Sequence, residues 1–262
     1  MSPPSPEPLN KAPKAVKPMS FLRARLSPDG YLGLHLTIGM AVLLLAVFVF
    51  ANIAGDVIEP GSLLLLWDEQ LMQWLQTHAT PGRTAFFLFV THWHNTPGIL
   101  VMTTLLVLWL AYRRSWDWEI WVLRVVLAVP LGMLLNVLLK NIFQRQRPVF
   151  DEPLLTLLTY SFPSGHTAAA TLLYGVLAAW LLTVLQRRWH APVVLLAASM
   201  VVVVALSRVY LGVHYPSDVF AAMASGTAWL AIVLISVSTA ASFRLSHTKI
   251  SAVSPERPDS QA

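Results

Sequence analysis

The chain has 262 residues, of which 56% are hydrophobic and only 12% charged, and its mean hydropathy is +0.61. A soluble domain carries about 25% charged residues, so this composition excludes an ordinary soluble fold and points to a polytopic membrane protein. The formal charge of +5 has to be located before it can suggest nucleic acid, and the absence of cysteine excludes disulfides, thiolate metal sites and a cysteine nucleophile.

Residues 1–28 are rich in Pro and Lys and hold no apolar periodicity, which predicts a disordered cytoplasmic tail. Leu32 to Ala54 is the first run long enough to span, and it is too long and too far from the N-terminus for a cleavable signal. Next, Trp67, Leu71, Trp74, Leu75 and His78 recur at helical spacing, with Asp68, Glu69, Gln70 and Gln73 between them. That pattern predicts an amphipathic helix lying on the membrane surface over about 64–78. The two imidazoles of His92 and His94 point about 200° apart on a helix and have no third ligand nearby, so a polar break with Asn95 and Pro97 is the better reading than a metal site. Further spans are predicted near 97–112, 119–139, 166–185, 191–212 and 217–240. The fold expected is all-α, a six-helix transmembrane bundle over residues 29–242, followed by a disordered cytoplasmic tail at 243–262.

Six spans put both termini on one side. The basic residues choose which: Lys11, Lys14, Lys17, Arg23, Arg25, Arg113, Arg114, Arg124, Arg187, Arg188, Arg244, Lys249 and Arg257 fall on the terminal side, which is then cytoplasmic, against Arg83, Lys140, Arg145, Arg147 and Arg208 on the other. The positive charge reads as topology, and no nucleic-acid partner is expected.

Three polar islands interrupt the apolar spans. They are Lys140 to Pro148, Pro163 to His166, and Ser207 to Asp218, and in this topology all three emerge on the outer face. Charged residues beside a bilayer core are costly and mark function by default. Lys140 and Arg147, seven apart, share a face if both are helical, and Pro148 suits a helix end. Arg145 is out of phase with them and reads as an interfacial anchor. Pro163-Ser164-Gly165-His166 reads as a turn into a helix N-terminus, where backbone N–H groups, Gly165 and the Ser164 hydroxyl suit an anion. Arg208, His214 and Asp218 supply a cation, an imidazole nucleophile and an acid that orients it.

In order and spacing, these islands resemble the signature of the type-2 phosphatidic-acid phosphatase superfamily, which includes the vanadium haloperoxidases. Lys140, Arg147 and Pro148 meet its first pattern, Pro163 to His166 its second, and Ser207, Arg208, His214 and Asp218 its third. The resemblance implies a phosphatase in which Lys140, Arg147, Ser164, Gly165 and Arg208 bind phosphate. His214 would attack phosphorus to form a phosphohistidine, Asp218 would orient it, and His166 would protonate the leaving oxygen and then activate water. It implies no metal and no cofactor, and as partners a lipid phosphate and the bilayer itself.

Bacterial relatives act on undecaprenyl diphosphate, phosphatidylglycerophosphate, phosphatidic acid and lipid A. An outward-facing site in the plasma or inner membrane suits undecaprenyl diphosphate first, and no glycosylation sequon is present to suggest a eukaryotic member. Two alternatives differ in kind. A haloperoxidase shares the anion site, but those relatives are generally soluble. A transporter or silent scaffold would spread its polar residues through the bilayer depth, whereas here they gather at one face. Single cysteines at Asp151 and Arg188 are expected to label from opposite sides of intact cells, Asp151 from outside. Labelling of both from one side would refute the six-span topology.

Overall fold

The computed structural model describes residues 34–253 apart from 116, 151, 152 and 156. The tail expected over 1–28 and the residues 29–33 that open the expected transmembrane domain lie outside the described residues. The chain divides into two units, 1–38 and 39–262. The described residues of the first, 34–38, open one helix, and the polar islands all belong to the second.

Among the described residues the structure is all helical: α1 (Leu34–Ile58), α2 (Leu63–Thr77), α3 (Pro81–Trp93), α4 (Thr96–Arg113), α5 (Trp118–Phe143), α6 (Gly165–Val184), α7 (His190–Tyr210) and α8 (Pro216–Val253), with one 3₁₀ turn at Arg187–Trp189. Six of them, α1 and α4 to α8, are long and apolar enough to cross a membrane. Their ends lie within four residues of those expected, because hydropathy alone sets where a bilayer span can stop. The boundary expected at 242/243 is not a helix end: α8 runs on to Val253, and 254–262 lie outside the described residues.

Two further helices lie between the first two spans. The surface helix expected at 64–78 is α2, opened by Ser62, whose hydroxyl accepts the Leu65 N–H at 3.4 Å. Helix α3 was not signalled by periodicity, and its start carries Pro81 at a position where a missing N–H costs nothing. The break expected around Asn95 is a helix cap, since Asn95 Oδ1 accepts the Gly98 N–H at 2.8 Å to begin α4.

Lipid tails are as apolar as leucine, so transmembrane helices associate by close packing more than by the hydrophobic effect. Helix α6 shows this best. Half of it is buried, and Ala168, Ala169 and Ala170 line its inner face. A Cβ at Gly132 of α5 would lie 2.4 Å from the Leu172 side chain, and one at Gly175 of α6 would lie 2.5 Å from Leu230 of α8. These glycines let α5 and α8 close on α6, around a core that includes Ile99, Trp121, Val129, Leu172, Val176 and Val233.

At the polar end of the spans, Phe162 is fully buried and stacks its edge against Phe143 at 4.9 Å, with Phe50 6.0 Å from both. This cluster ties the loop before α6 to α1 and α5. The turn from α7 towards α8 depends on Gly212, whose φ is +74° and whose Cβ position lies 2.7 Å from Gln76 Nε2 and 3.0 Å from the Phe150 ring. Gly212→Ala is therefore expected to lower the thermal midpoint in detergent micelles, the left-handed backbone alone costing about 1–2 kcal/mol. An unchanged midpoint would show that this turn is not fixed as described.

Candidate functional site

The C-termini of α5 and α7 and the N-termini of α6 and α8 bring the three islands together. Helix α5 ends at Phe143, where Gln144 turns left-handed at φ 47° and its N–H closes on Lys140 O at 2.9 Å. Lys140 and Arg147 therefore do not share a helical face as expected. Lys140 is on the last turn of α5, and Arg147 reaches the same site from an extended segment. Its Nε donates to Thr159 O at 2.6 Å, its Nη2 to Thr159 Oγ1 at 2.9 Å, and its Nη1 to Val213 O at 2.5 Å. Lys140 Nζ donates to Tyr160 O at 2.5 Å and to Ser161 O at 3.2 Å.

At the centre stand His214, 1% exposed, and Asp218, fully buried. His214 Nδ1 lies 3.3 Å from Asp218 Oδ2, which also accepts the Tyr215 N–H at 2.9 Å and a hydrogen bond from Ser161 Oγ. A carboxylate only accepts, so this network places the His214 proton on Nδ1 and the lone pair on Nε2. Nε2 lies 3.3 Å from Arg147 Nη1. Burial first, then the charges of Arg147, Lys140 and Arg208, hold the His214 imidazole well below its ordinary value near 6.5. A neutral ring, oriented by a carboxylate at one nitrogen and carrying at the other a lone pair that only the long contact with Arg147 Nη1 occupies, has the chemistry of a nucleophile.

A cavity of about 380 Å³ lies against this ring. Lys140, Arg147, Gly165, His166 and His214 form its polar wall, and Met133, Leu134, Val137, Leu157 and Ala169 an apolar one. Three expected residues do not line it. Asp218 stands behind His214, and Ser164, fully buried, precedes α6 without a side-chain cap; its N–H donates to Asp218 O at 3.0 Å and its Oγ accepts from the Thr167 hydroxyl. Arg208 is 1% exposed; its Nη1 donates to Thr91 Oγ1, while Nε and Nη2 have no partner. Unpaired buried guanidinium N–H groups are costly, which makes this side chain fit for an anion.

Sequence reasoning missed several residues here. Arg145 was read as an anchor because it is out of phase on a helix, yet α5 has ended before it. It bridges Asp68 and Asp218, at 2.8 Å and 2.7 Å. Asp68, expected on the wet face of α2, is 1% exposed. His94, set aside with His92, is buried on the cavity wall; its Nδ1 donates to Val90 O at 2.8 Å and its Nε2 accepts from Tyr174 at 2.7 Å. Asp68 and Thr91 carry no motif that flags them, because their partners lie far off in sequence.

The chain is similar to known proteins over the part that carries the three islands. The family profile described as the PAP2 superfamily matches residues 121–242. Phosphatidylglycerophosphatase B of Bacillus subtilis is 38% identical over 117 residues, 44% of this chain and 55% of that protein. Decaprenylphosphoryl-5-phosphoribose phosphatase of Mycobacterium tuberculosis is 41% identical over 105 residues, 37% of this chain and 50% of its own length. The chain thus spans about half the length of the curated relatives it matches. Among solved structures, a transmembrane PAP2-type phosphatidylglycerolphosphate phosphatase from Bacillus subtilis superposes with a TM-score of 0.65 over 82% of this chain and 98% of its own; at 24% identity this is a likeness of fold. LpxE of Aquifex aeolicus has a TM-score of 0.52 and 27% identity over 68% of this chain and 98% of its own.

The depressed His214 value has a testable sign. The ring is expected to stay neutral at pH 6.5 and above and to gain its proton only in more acidic solution. Removing a neighbouring cation by Lys140→Met should move that titration upward, towards 6.5. Histidine NMR in micelles measures both, and a wild-type His214 titrating at 6.5 would refute the electrostatic account.

Proposed function

We propose, from the membership of this chain in the PAP2 superfamily and from the chemistry of its cavity, that it is an integral-membrane hydrolase that removes phosphate from a lipid phosphate or diphosphate. The observation that carries this reading is the neutral, carboxylate-oriented His214 facing a cavity with cations on one wall and alkyl side chains on the other. A volume of about 380 Å³ suits a phosphorylated headgroup and not its hydrocarbon. The chain of the lipid then stays in the bilayer along the apolar wall formed by α5, and only the phosphate meets Arg147 and Lys140.

In the proposed reaction His214 Nε2 attacks phosphorus in line, and the bond from phosphorus to the leaving oxygen breaks as the nitrogen–phosphorus bond forms. His166, on the cavity wall beside His214, gives its proton to the leaving oxygen. Charge on the equatorial oxygens is met by Arg147, Lys140, Arg208 and the N–H groups that open α6. The phosphohistidine carries positive charge on its ring, which Asp218 offsets through Nδ1–H. Water then attacks phosphorus, His166 takes its proton, and phosphate leaves with His214 restored.

The distribution of basic residues supports cytoplasmic termini, and with them a site that opens on the outer side of the plasma or inner membrane. That side supports undecaprenyl diphosphate as the first substrate, with phosphatidylglycerophosphate and phosphatidic acid next. The named relatives act on a glycerophospholipid phosphate and a polyprenyl-linked sugar phosphate, and each is a phosphate carried on a membrane lipid.

A panel of these lipids in defined micelles tests the reading through phosphate release. Wild type should turn over at least one and accumulate an acid-labile, base-stable phosphoryl group. His214→Ala is expected to show neither, and Arg208→Lys to be severely impaired despite its charge, since an ammonium lacks the guanidinium fork. Turnover by His214→Ala would overturn the assignment.

A further inference from the structure

The Ser207–Asp218 island accounts for only one side of what holds Asp218, through His214 and Tyr215. Its Oδ2 accepts from Ser161, Tyr215 and His214. Its Oδ1 is taken by Arg145 Nη1 at 2.7 Å. The same guanidinium, stacked 4.1 Å over the Tyr215 ring, donates through Nη1 to Ser217 Oγ at 2.7 Å and through Nη2 to Asp68 Oδ2 at 2.8 Å. Asp68 closes the ring. Its Oδ1 accepts the Ser217 N–H at 2.9 Å, and its Oδ2 accepts the Ser217 hydroxyl. Ser217 and Asp218 are adjacent on the first turn of α8, whereas Asp68 comes from α2, 149 residues before Ser217.

We propose that Asp68, on the surface helix α2, is a positioning residue for the His214 nucleophile, acting through Arg145 and Ser217 on Asp218. An Arg145 paired with Asp218 alone would turn the fork of its guanidinium onto both carboxylate oxygens, as arginine–carboxylate pairs prefer. Oδ2 would then be drawn from the imidazole. Asp68 takes one arm of the fork and leaves Arg145 only Oδ1 of Asp218. With two carboxylates to one guanidinium, the set also keeps a net negative charge, which can offset the positive phosphohistidine ring. The side chains are nearly dry, with Asp68 2%, Arg145 11% and Asp218 0% exposed, so these interactions are not screened by water.

The arrangement also explains the composition of α2. Its outward side chains Leu63, Leu66, Trp67, Leu71 and Trp74 are exposed and suited to the membrane surface, while its inward side holds Asp68 and Met72. Met72 packs with Ala205, Val209 and Val219, which fixes the helix over the beginning of α8 and sets where the carboxylate falls.

The test compares wild type with Asp68→Asn, which keeps an acceptor for the Ser217 N–H and removes the charge, and with Arg145→Lys, which keeps a charge but cannot fork between two carboxylates. The first readout needs no substrate. In histidine-labelled full-length protein in micelles, with His214→Ala identifying the signal, wild-type His214 is expected to carry its proton on Nδ1, and both variants to show a mixture of the two ring forms. Unchanged His214 signals in both would overturn the proposal. The second readout rests on the lipid phosphatase reading: kcat should fall on the order of 100-fold, as for a small displacement of a reacting group, with KM little changed. A loss confined to KM, or kcat retained, would also overturn it. Thermal midpoints accompany both readouts, and if neither variant folds, the network is a folding element and the proposal fails. If wild type releases no phosphate from any lipid, the phosphatase reading falls while the His214 signals still decide this one.

Discussion

A carboxylate buried beside a bilayer is the constraint on which the rest of the site depends. Asp218 has no access to water, so every lone pair it offers must find a donor or the ion costs several kcal/mol. The structure meets this with a guanidinium on one oxygen and a backbone N–H, a hydroxyl and an imidazole on the other. The donors come from three segments: Arg145 after α5, Ser161 before α6, and His214 with Tyr215 in the turn from α7 to α8. Satisfying one ion therefore fixes the meeting of four helix ends. The Ser164 N–H on the Asp218 carbonyl adds a backbone tie between the starts of α6 and α8.

Beneath this polar layer the helices meet by steric fit. Gly132 and Gly175 admit Leu172, Trp229 and Leu230 at distances that no Cβ would permit. Close approach of α5, α6 and α8 is what allows short side chains such as Ser161 and Asp218 to touch at all. Longer-range looseness in the packing would open those contacts first, because a hydroxyl has no reach to spare.

The fold was legible to the extent that hydropathy encodes it. All six spans stand where apolar runs of bilayer length stand, and α2 stands where aromatic and leucine residues recur at helical period. The residues of the three islands were legible by type and spacing, and the structure gathers them. What failed was geometry that depends on where a helix stops. Arg145 and Arg147 were assigned faces on a helix that ends at Phe143, and the left-handed Gln144 that ends it is not a residue type that announces such a turn. Asp68 was misassigned because an amphipathic pattern tells polar from apolar but not which polar residue is the buried exception. That exception is set by Arg145 and Ser217, far away in sequence, and tertiary pairing leaves no local trace.

The charges left over explain what the site is suited to hold. Of the four cations around His214, Arg145 alone has carboxylate partners among the described residues, and it has two. Lys140 and Arg147 rest on the carbonyls of Thr159, Tyr160, Ser161 and Val213, and Arg208 on the hydroxyl of Thr91. Neutral acceptors orient a cation without cancelling its charge. Two of the nitrogens of Arg208 lack even a neutral acceptor. The same uncancelled charge helps to keep the proton off His214. A dianionic phosphoryl group supplies both missing elements together, acceptors for the unpaired N–H groups and charge for the three cations. In the proposed reaction such a group would also weaken the force that keeps His214 unprotonated, so its binding would by itself raise the basicity of Nε2.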